Sequence, residues 1–314
     1  MWSRRIRRLI LPCLLLAITA EKSLAQPDAD ATPHQSLDDA WWTGPIVTNS
    51  AAVLPRGHAL VESYVLDVIS DHAKCYESLT YLLYGVTDRF TIGPIPVVGF
   101  NSALGSRGGP HLGDTGILAK YALTRFDAAS GMPDISLAVQ ENLPTGKYDR
   151  LGDGPGNGFG SGAYTTVASL FSQMYFWLPN GQLFRTRLDL SAGFSSTVDL
   201  QDVSVYGTGA GFLGHASPGN SFSADASFEY SLTRNWVLAL DVIYNHGNAT
   251  TTRGFQNGQS VERNSGSSDG IGLAPAVEFS WTPDLGLLVG ARIFTKGHNT
   301  PASVTPAVAI NWVT

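Results

Sequence analysis

The sequence is poor in three things. Only 2 of its 314 residues are Cys, charged side chains make up 15%, and beyond residue 25 no run of 18 apolar residues occurs. The shortage of Cys rules out an intrachain disulfide, because Cys75 alone would remain after loss of the leader described below. The charged fraction is well under the roughly 25% usual for soluble domains. Lacking long apolar runs, the chain is no bundle of membrane helices. What it has in excess is glycine, with 34 copies, and its 43% hydrophobic content is too high for a disordered chain. Apolar surface must therefore be hidden without long helices.

The start reads as an address for export. Arg4, Arg5, Arg7 and Arg8 precede an apolar run from Leu9 to Ala20, and Ser23-Leu24-Ala25 places small residues before Gln26. A basic region, an apolar region too short to span a bilayer and a small-x-small site predict a cleaved signal peptide over residues 1–25. No Cys stands near the cleavage point, which argues against a lipoprotein. Cleavage removes four Arg, Lys22 and Glu21, leaving 15 basic and 25 acidic side chains, a net charge of −10. Such a chain is a poor partner for nucleic acid or anionic headgroups.

Beyond the leader, a period of two recurs. From Ser221 to Leu232 the even positions are Phe222, Ala224, Ala226, Phe228, Tyr230 and Leu232, while the odd ones are Ser or acidic. Leu188, Leu190 and Ala192 alternate with Arg185, Arg187, Asp189 and Ser191 in the same way. Further copies run through 236–245 and 271–281. Strands of about ten residues are longer than the soluble norm and suffice to cross a bilayer when tilted.

Aromatic residues bracket the short turns. Tyr84-Gly85-Val86-Thr87, Tyr121-Ala122-Leu123-Thr124, Tyr230-Ser231-Leu232-Thr233 and Phe279-Ser280-Trp281-Thr282 each precede a tight polar connection, and Phe176-Trp177 precedes another. That is the pattern of an interfacial aromatic belt at the short-turn end of a membrane barrel. Longer Gly-, Asn- and Ser-rich segments at 101–111, 144–162, 196–220, 246–270 and 296–302 alternate with these turns. The fold class that follows is all-β: an antiparallel transmembrane barrel of about 12 strands, with long external loops and short periplasmic turns. The count leaves room for 10 or 14, because the segment 163–177 alternates poorly and 196–220 has space for one more strand pair around Val203 and Val205. Residues 26–58 form an N-terminal periplasmic or plug segment and 59–314 the barrel. Val304, Val308, Ile310 and Trp312 share one face of the last strand, as in an insertion signal.

Four runs carry a family likeness: Thr43-Gly44-Pro45-Ile46-Val47-Thr48, Leu54-Pro55-Arg56-Gly57-His58, Leu143-Pro144-Thr145-Gly146-Lys147-Tyr148-Asp149 and Arg185-Thr186-Arg187-Leu188-Asp189-Leu190. They resemble the outer-membrane family labelled for the MetA pathway of phenol degradation, over roughly residues 41–314. The resemblance implies a bacterial outer-membrane barrel that moves small, often aromatic or hydrophobic compounds inward. It brings no set of functional residues with it.

From the residues themselves, alternation sends Arg185, Arg187, Asp189, Asp225, Glu229, Asp241, Glu278 and Arg292 to the lumen, since an Arg facing lipid near the midplane would cost about 2–4 kcal/mol. Such a two-sign set either lines a polar path or cross-links a closed interior. The uncharged segment 41–53, with Trp41, Trp42 and Pro45, has nowhere obvious to bury its surface outside the barrel and is expected to plug the periplasmic mouth. The function expected is a non-enzymatic outer-membrane channel for uptake or diffusion of small molecules. Its partners are outer-membrane lipid, the solute and the barrel-assembly machinery, and the protein is monomeric. The alternatives are a closed structural or recognition barrel and an outer-membrane enzyme such as a lipid hydrolase. His246 would be the base of the enzyme, but no nucleophile elbow accompanies it. No cofactor, catalytic or metal site is expected: the seven His lack ligand spacing, and Gly152-Asp153-Gly154-Pro155-Gly156-Asn157-Gly158 has too few carboxylates for calcium and no helix after it for phosphate.

Overall fold

The computed structural model describes residues 34–314 except 71–72, 104–105, 108 and 153. The expected leader lies outside the described residues. Twelve strands form the wall: β1 (Ala59–Ser70), β2 (Ala73–Thr87), β3 (Phe90–Ile95, resumed at Val97–Ala103), β4 (Thr115–Thr124), β5 (Asp134–Leu143), β6 (Thr165–Trp177), β7 (Leu183–Ser195), β8 (Ser221–Ser231), β9 (Trp236–Gly247), β10 (Ser268–Thr282), β11 (Leu285–Phe294) and β12 (Ser303–Val313). Each pairs antiparallel with the next, and β12 returns to β1 with Tyr64 opposite Ala309 and Ile69 opposite Val304. The sheet is a closed 12-strand barrel, so every strand has two neighbours and no ladder edge faces lipid. Pro96 interrupts β3, where the missing N–H removes one rung.

The two faces of each strand follow the alternation. On β8, Asp225, Ser227, Glu229 and Ser231 are buried inward while Phe222 and Phe228 are exposed outward. Tyr84, Tyr121, Phe176, Trp236, Trp281 and Trp312 are exposed at or near the short-turn end, as a belt at the hydrocarbon boundary requires. Register shifts at Gly85/Thr87, Ala122/Thr124 and Ser280/Thr282 lie at the same end. Inside, small residues dominate one stretch: Ala239, Ala274, Ala276, Ala307 and Ala309 are all buried, which leaves the lumen there wide enough for main chain.

The long-loop end is more ordered than loop composition suggests. Val198–Gln201, Phe212–Ser217, Thr251–Gln256 and Gln259–Asn264 make a four-stranded sheet of their own. The room for a strand pair in 196–220 is thus used, but outside the barrel count. The second hairpin turns at Asn257-Gly258, with φ of 52° and 80°, the left-handed pair that a two-residue hairpin turn demands. Val198, Leu200, Phe212 and Ala216 pack with Ala163, Tyr148 and Tyr206 into a small core under this sheet.

The β5–β6 connection supplies Tyr148 and Ala163 to that core and is strapped down at both sides. Asp114 accepts hydrogen bonds from Gly146 N, Ser161 N and Ser161 Oγ at 3.0, 2.7 and 2.6 Å. Tyr206 Oη donates to Ser161 O at 2.6 Å, and Asn101 Nδ2 to Gly158 O at 2.6 Å. Gly146 lies so close to Gly160 that a Cβ there would sit 2.6 Å from the Gly160 Cα.

Candidate functional site: a segment docked inside the barrel

Residues 34–58 enter and leave the barrel at the short-turn end. Gln35 anchors the approach: its side chain donates to Ser231 Oγ at 2.9 Å and accepts from Leu183 N at 3.1 Å, and its carbonyl accepts from the Trp177 indole at 2.8 Å. Trp41 N donates to Arg234 O at 2.9 Å, and the Trp41 ring lies 5.6 Å from the Arg234 guanidinium. Asp39 forms an ion pair with Arg234. The Arg234 guanidinium, with the Ser36 hydroxyl, holds the Asp39 carboxyl below its ordinary value.

Deeper in, the chain is gripped by its backbone. Thr43 N and Gly44 N donate to Glu278 Oε2 at 2.7 and 2.8 Å. Ile46 N and Val47 N donate to Asp241 Oδ2 at 3.0 and 3.2 Å, while Thr48 N and Thr48 Oγ1 donate to Asp241 Oδ1 at 3.2 and 3.1 Å. Asn49 gives Asp189 Oδ2 both its N–H, at 2.6 Å, and its Nδ2, at 3.3 Å. Cations take the carbonyls: Arg187 reaches Thr48 O at 3.1 Å, and Lys120 Nζ reaches Ser50 O and Ala52 O at 2.8 and 2.6 Å. Leu54 N then donates to Thr91 Oγ1 at 2.9 Å, and the chain leaves toward β1. Hydrogen bonds to charged groups are worth about 1.5–3 kcal/mol each, against about 1–2 kcal/mol to order a backbone residue, so docking depends on the full set of acceptors.

Gly44 permits the bend at the entry, with φ of 111° in a region closed to most side chains. Pro45 follows it and is buried. Trp42 is stacked beneath Arg185, whose Cζ is 4.2 Å from the indole centroid, and meets Tyr175 edge-on at 6.2 Å. Arg185 hydrogen-bonds Glu229 through both Nε and a terminal nitrogen, and Arg187 Nε lies 3.1 Å from the same carboxylate. Asp225 stands across the β7–β8 ladder from Asp189. Arg292 interacts electrostatically with Glu77 and Asp225. Of the eight charged residues that alternation sends inward, seven thus gather on β7–β10, and Arg292 joins them from β11.

The docked segment does not fill the barrel. Between it and a wall made mainly of β1–β4, with Phe171 of β6, remains a cavity of about 380 Å³, lined among others by Leu66, Leu79 and Leu118, with Tyr64, Tyr81, Glu62 and Glu77 adding polar surface. A second hollow of about 420 Å³ lies at the long-loop end among Val68, Asn245, Ser268 and Phe294. Lys120, Glu62 and Glu77, absent from the charges named in sequence, are missed members of the site, and Lys120 is the one that grips the docked segment. Its signal is its place on the same side of β4 as the buried Leu118 and Ala122.

His246 is spoken for: Nδ1 is 2.8 Å from Asp269 Oδ1 and Nε2 is 3.3 Å from Asn248 Oδ1, so the second nitrogen faces an amide rather than a hydroxyl nucleophile. Among the described residues no group of three or more His, Cys, Asp or Glu side chains is arranged to hold a metal.

Residues 44–305 match the model of the family described as "Putative MetA-pathway of phenol degradation". The chain belongs to that family. Among solved structures, it is similar to the COG4313 outer membrane channel from Pseudomonas putida F1, at 17% identity and a TM-score of 0.61, over 86% of this chain and 100% of that one. The KdgM porin matches at 9% identity and a TM-score of 0.43, over 80% of this chain and 98% of its own. The NanC porin matches at 11% identity and a TM-score of 0.42, over the same shares. The first likeness bears on the fold, and the other two are too distant to carry an argument. No curated protein matches the sequence.

Three of the four family runs fall on this site. Thr43–Thr48 is the docked backbone, Arg185–Leu190 its wall, Leu54–His58 its exit, and Leu143–Asp149 the start of the strapped β5–β6 connection.

Proposed function

We propose that the protein is a monomeric outer-membrane channel for small molecules, closed from the periplasmic side by residues 41–53 acting as a plug. The observation that carries this is the docking pattern. Three wall carboxylates accept eight hydrogen bonds from residues 43–49, yet an open cavity remains beside them. A barrel built only to be rigid gains nothing from charged groups whose partners sit on a removable segment, whereas a gate needs reversible polar contacts. The Leu, Phe and Tyr side chains in the cavity lining, set among a few polar groups, favour solutes with a hydrocarbon or aromatic body, in keeping with the family's description.

Proteoliposome swelling with a panel of sugars, carboxylates and phenols tests the reading. Faster entry of the aromatic solutes is expected. Equal exclusion of the whole panel, with protein shown to be inserted, would leave a structural or recognition barrel instead.

A further inference from the structure

The inner wall carries more acid than base, and four of its acids form one lane. Asp189 of β7, Asp225 of β8, Asp241 of β9 and Glu278 of β10 face the lumen from four consecutive strands, all 7% exposed or less. Of the nearby cations, Arg185 and Arg187 share Glu229 and Lys120 holds plug carbonyls, while Arg292 interacts with Asp225. Asp189 and Asp225 stand directly opposite one another, a like-charge placement that costs a sheet stability. Plug N–H groups offset part of that cost. Even so, Asp189 Oδ1 and Asp225 Oδ1 are buried with no hydrogen-bond partner among the described residues, an unmet demand for donors at the lumen surface.

We propose that this lane is the selectivity element of the open channel and that the plug occupies it in place of the solute. The backbone N–H groups of residues 43–49 stand where the N–H groups of a small organic cation, an amidine or an amine, would lie. The inference rests on the channel reading above. Once the plug withdraws, four carboxylates line the passage on one side, and a wall of Leu and Tyr side chains interspersed with Glu62 and Glu77 faces them on the other. A flat cation with an apolar body satisfies both surfaces, whereas an anion of the same shape meets a net excess of carboxylates in a narrow, poorly screened passage.

Benzamidinium and benzoate share a ring and differ in charge, which makes them the probes. Reversal potentials in planar bilayers would be measured for each ion with the full-length protein and with an Ile46→Pro, Thr48→Pro variant, which lacks two of the N–H donors to Asp241. Benzamidinium is expected to permeate better by about threefold or more, as one-signed fixed charge in a focused field dictates. The proline variant should open more often with the same preference. Replacing Asp189→Asn, Asp225→Asn and Asp241→Asn together should bring the two ions close to parity. Openings that favour benzoate, or a preference untouched by the triple substitution, would overturn the inference while leaving the channel standing. Complete absence of openings in every form would overturn the channel reading itself, and this inference with it.

Discussion

The two halves of the barrel wall solve opposite problems. From β7 to β10 the lumen face is charged, and nearly every charge is matched: Glu229 by two Arg side chains, and Glu278, Asp241 and Asp189 by plug backbone. From β1 to β4 the face mixes Leu and Tyr with Glu62, Glu77 and Lys120, and it borders a cavity, reaching the plug backbone through Thr91 and Lys120. One half holds a segment through directional contacts with few alternatives. The other half borders open space with a mixed lining of Leu, Tyr and a few charged side chains. On the channel reading proposed above, the difference teaches that most of the plug's contacts and most of the open space fall to different walls.

Breaking the charged half should have the largest effect. Glu229→Ala leaves Arg185 and Arg187 buried beside each other without a carboxylate and should destabilise the barrel by about 3–5 kcal/mol, the cost of breaking a buried pair. Urea unfolding in lipid vesicles would show it, and an unchanged midpoint would contradict it.

Loosening only the plug comes next. Asp241→Ala removes the acceptor of four hydrogen bonds and should weaken docking by about 2 kcal/mol or more while sparing the wall. Solute flux in proteoliposomes should rise severalfold with the unfolding midpoint little changed. On the half that borders the cavity, Leu66→Ala should cost about 2 kcal/mol, at the low end for a core Leu because the side chain already borders a void, and should leave plug docking intact. Limited proteolysis of residues 34–58 separates the two cases: faster in the Asp241 variant, unchanged in the Leu66 variant.

The smallest effect belongs to the entry contact. Arg234→Gln removes the ion pair with the exposed Asp39, and the consequence should be a slight rise in proteolysis that disappears at high salt. Because Arg234 lowers the Asp39 pKa, the contact is fully present above the ordinary carboxylate value of 3.8 and is lost as pH falls through the lowered folded value. At low salt, the wild type should therefore match the variant only in strong acid.

Much of the wall was legible because hydrocarbon enforces a strict period of two. Residues 183–195, for instance, alternate so cleanly that expected and observed strands coincide. The external sheet was not legible in the same way. Gln259–Asn264 reads Gln-Ser-Val-Glu-Arg-Asn, with water on one side and no apolar face to betray a strand. Its one clue was Asn257-Gly258 in the turn. The docked segment was visible as uncharged chain with no place to go, and the wall charges as inward positions. Their meeting was hidden, because the contacts run through backbone N–H groups that every non-Pro residue carries, so no side-chain pattern encodes them. Lys120 escaped notice for the same reason, since it binds two carbonyls rather than an acid.

A reversible lock between plug and wall addresses the account most directly. Thr43 Oγ1 and Ser280 Oγ lie 3.4 Å apart, so Thr43→Cys with Ser280→Cys, in a Cys75→Ser background, brings two thiols together. Oxidation should abolish solute flux and reduction should restore it. Flux that continues undiminished through a fully cross-linked population would contradict the claim that residues 41–53 close the passage.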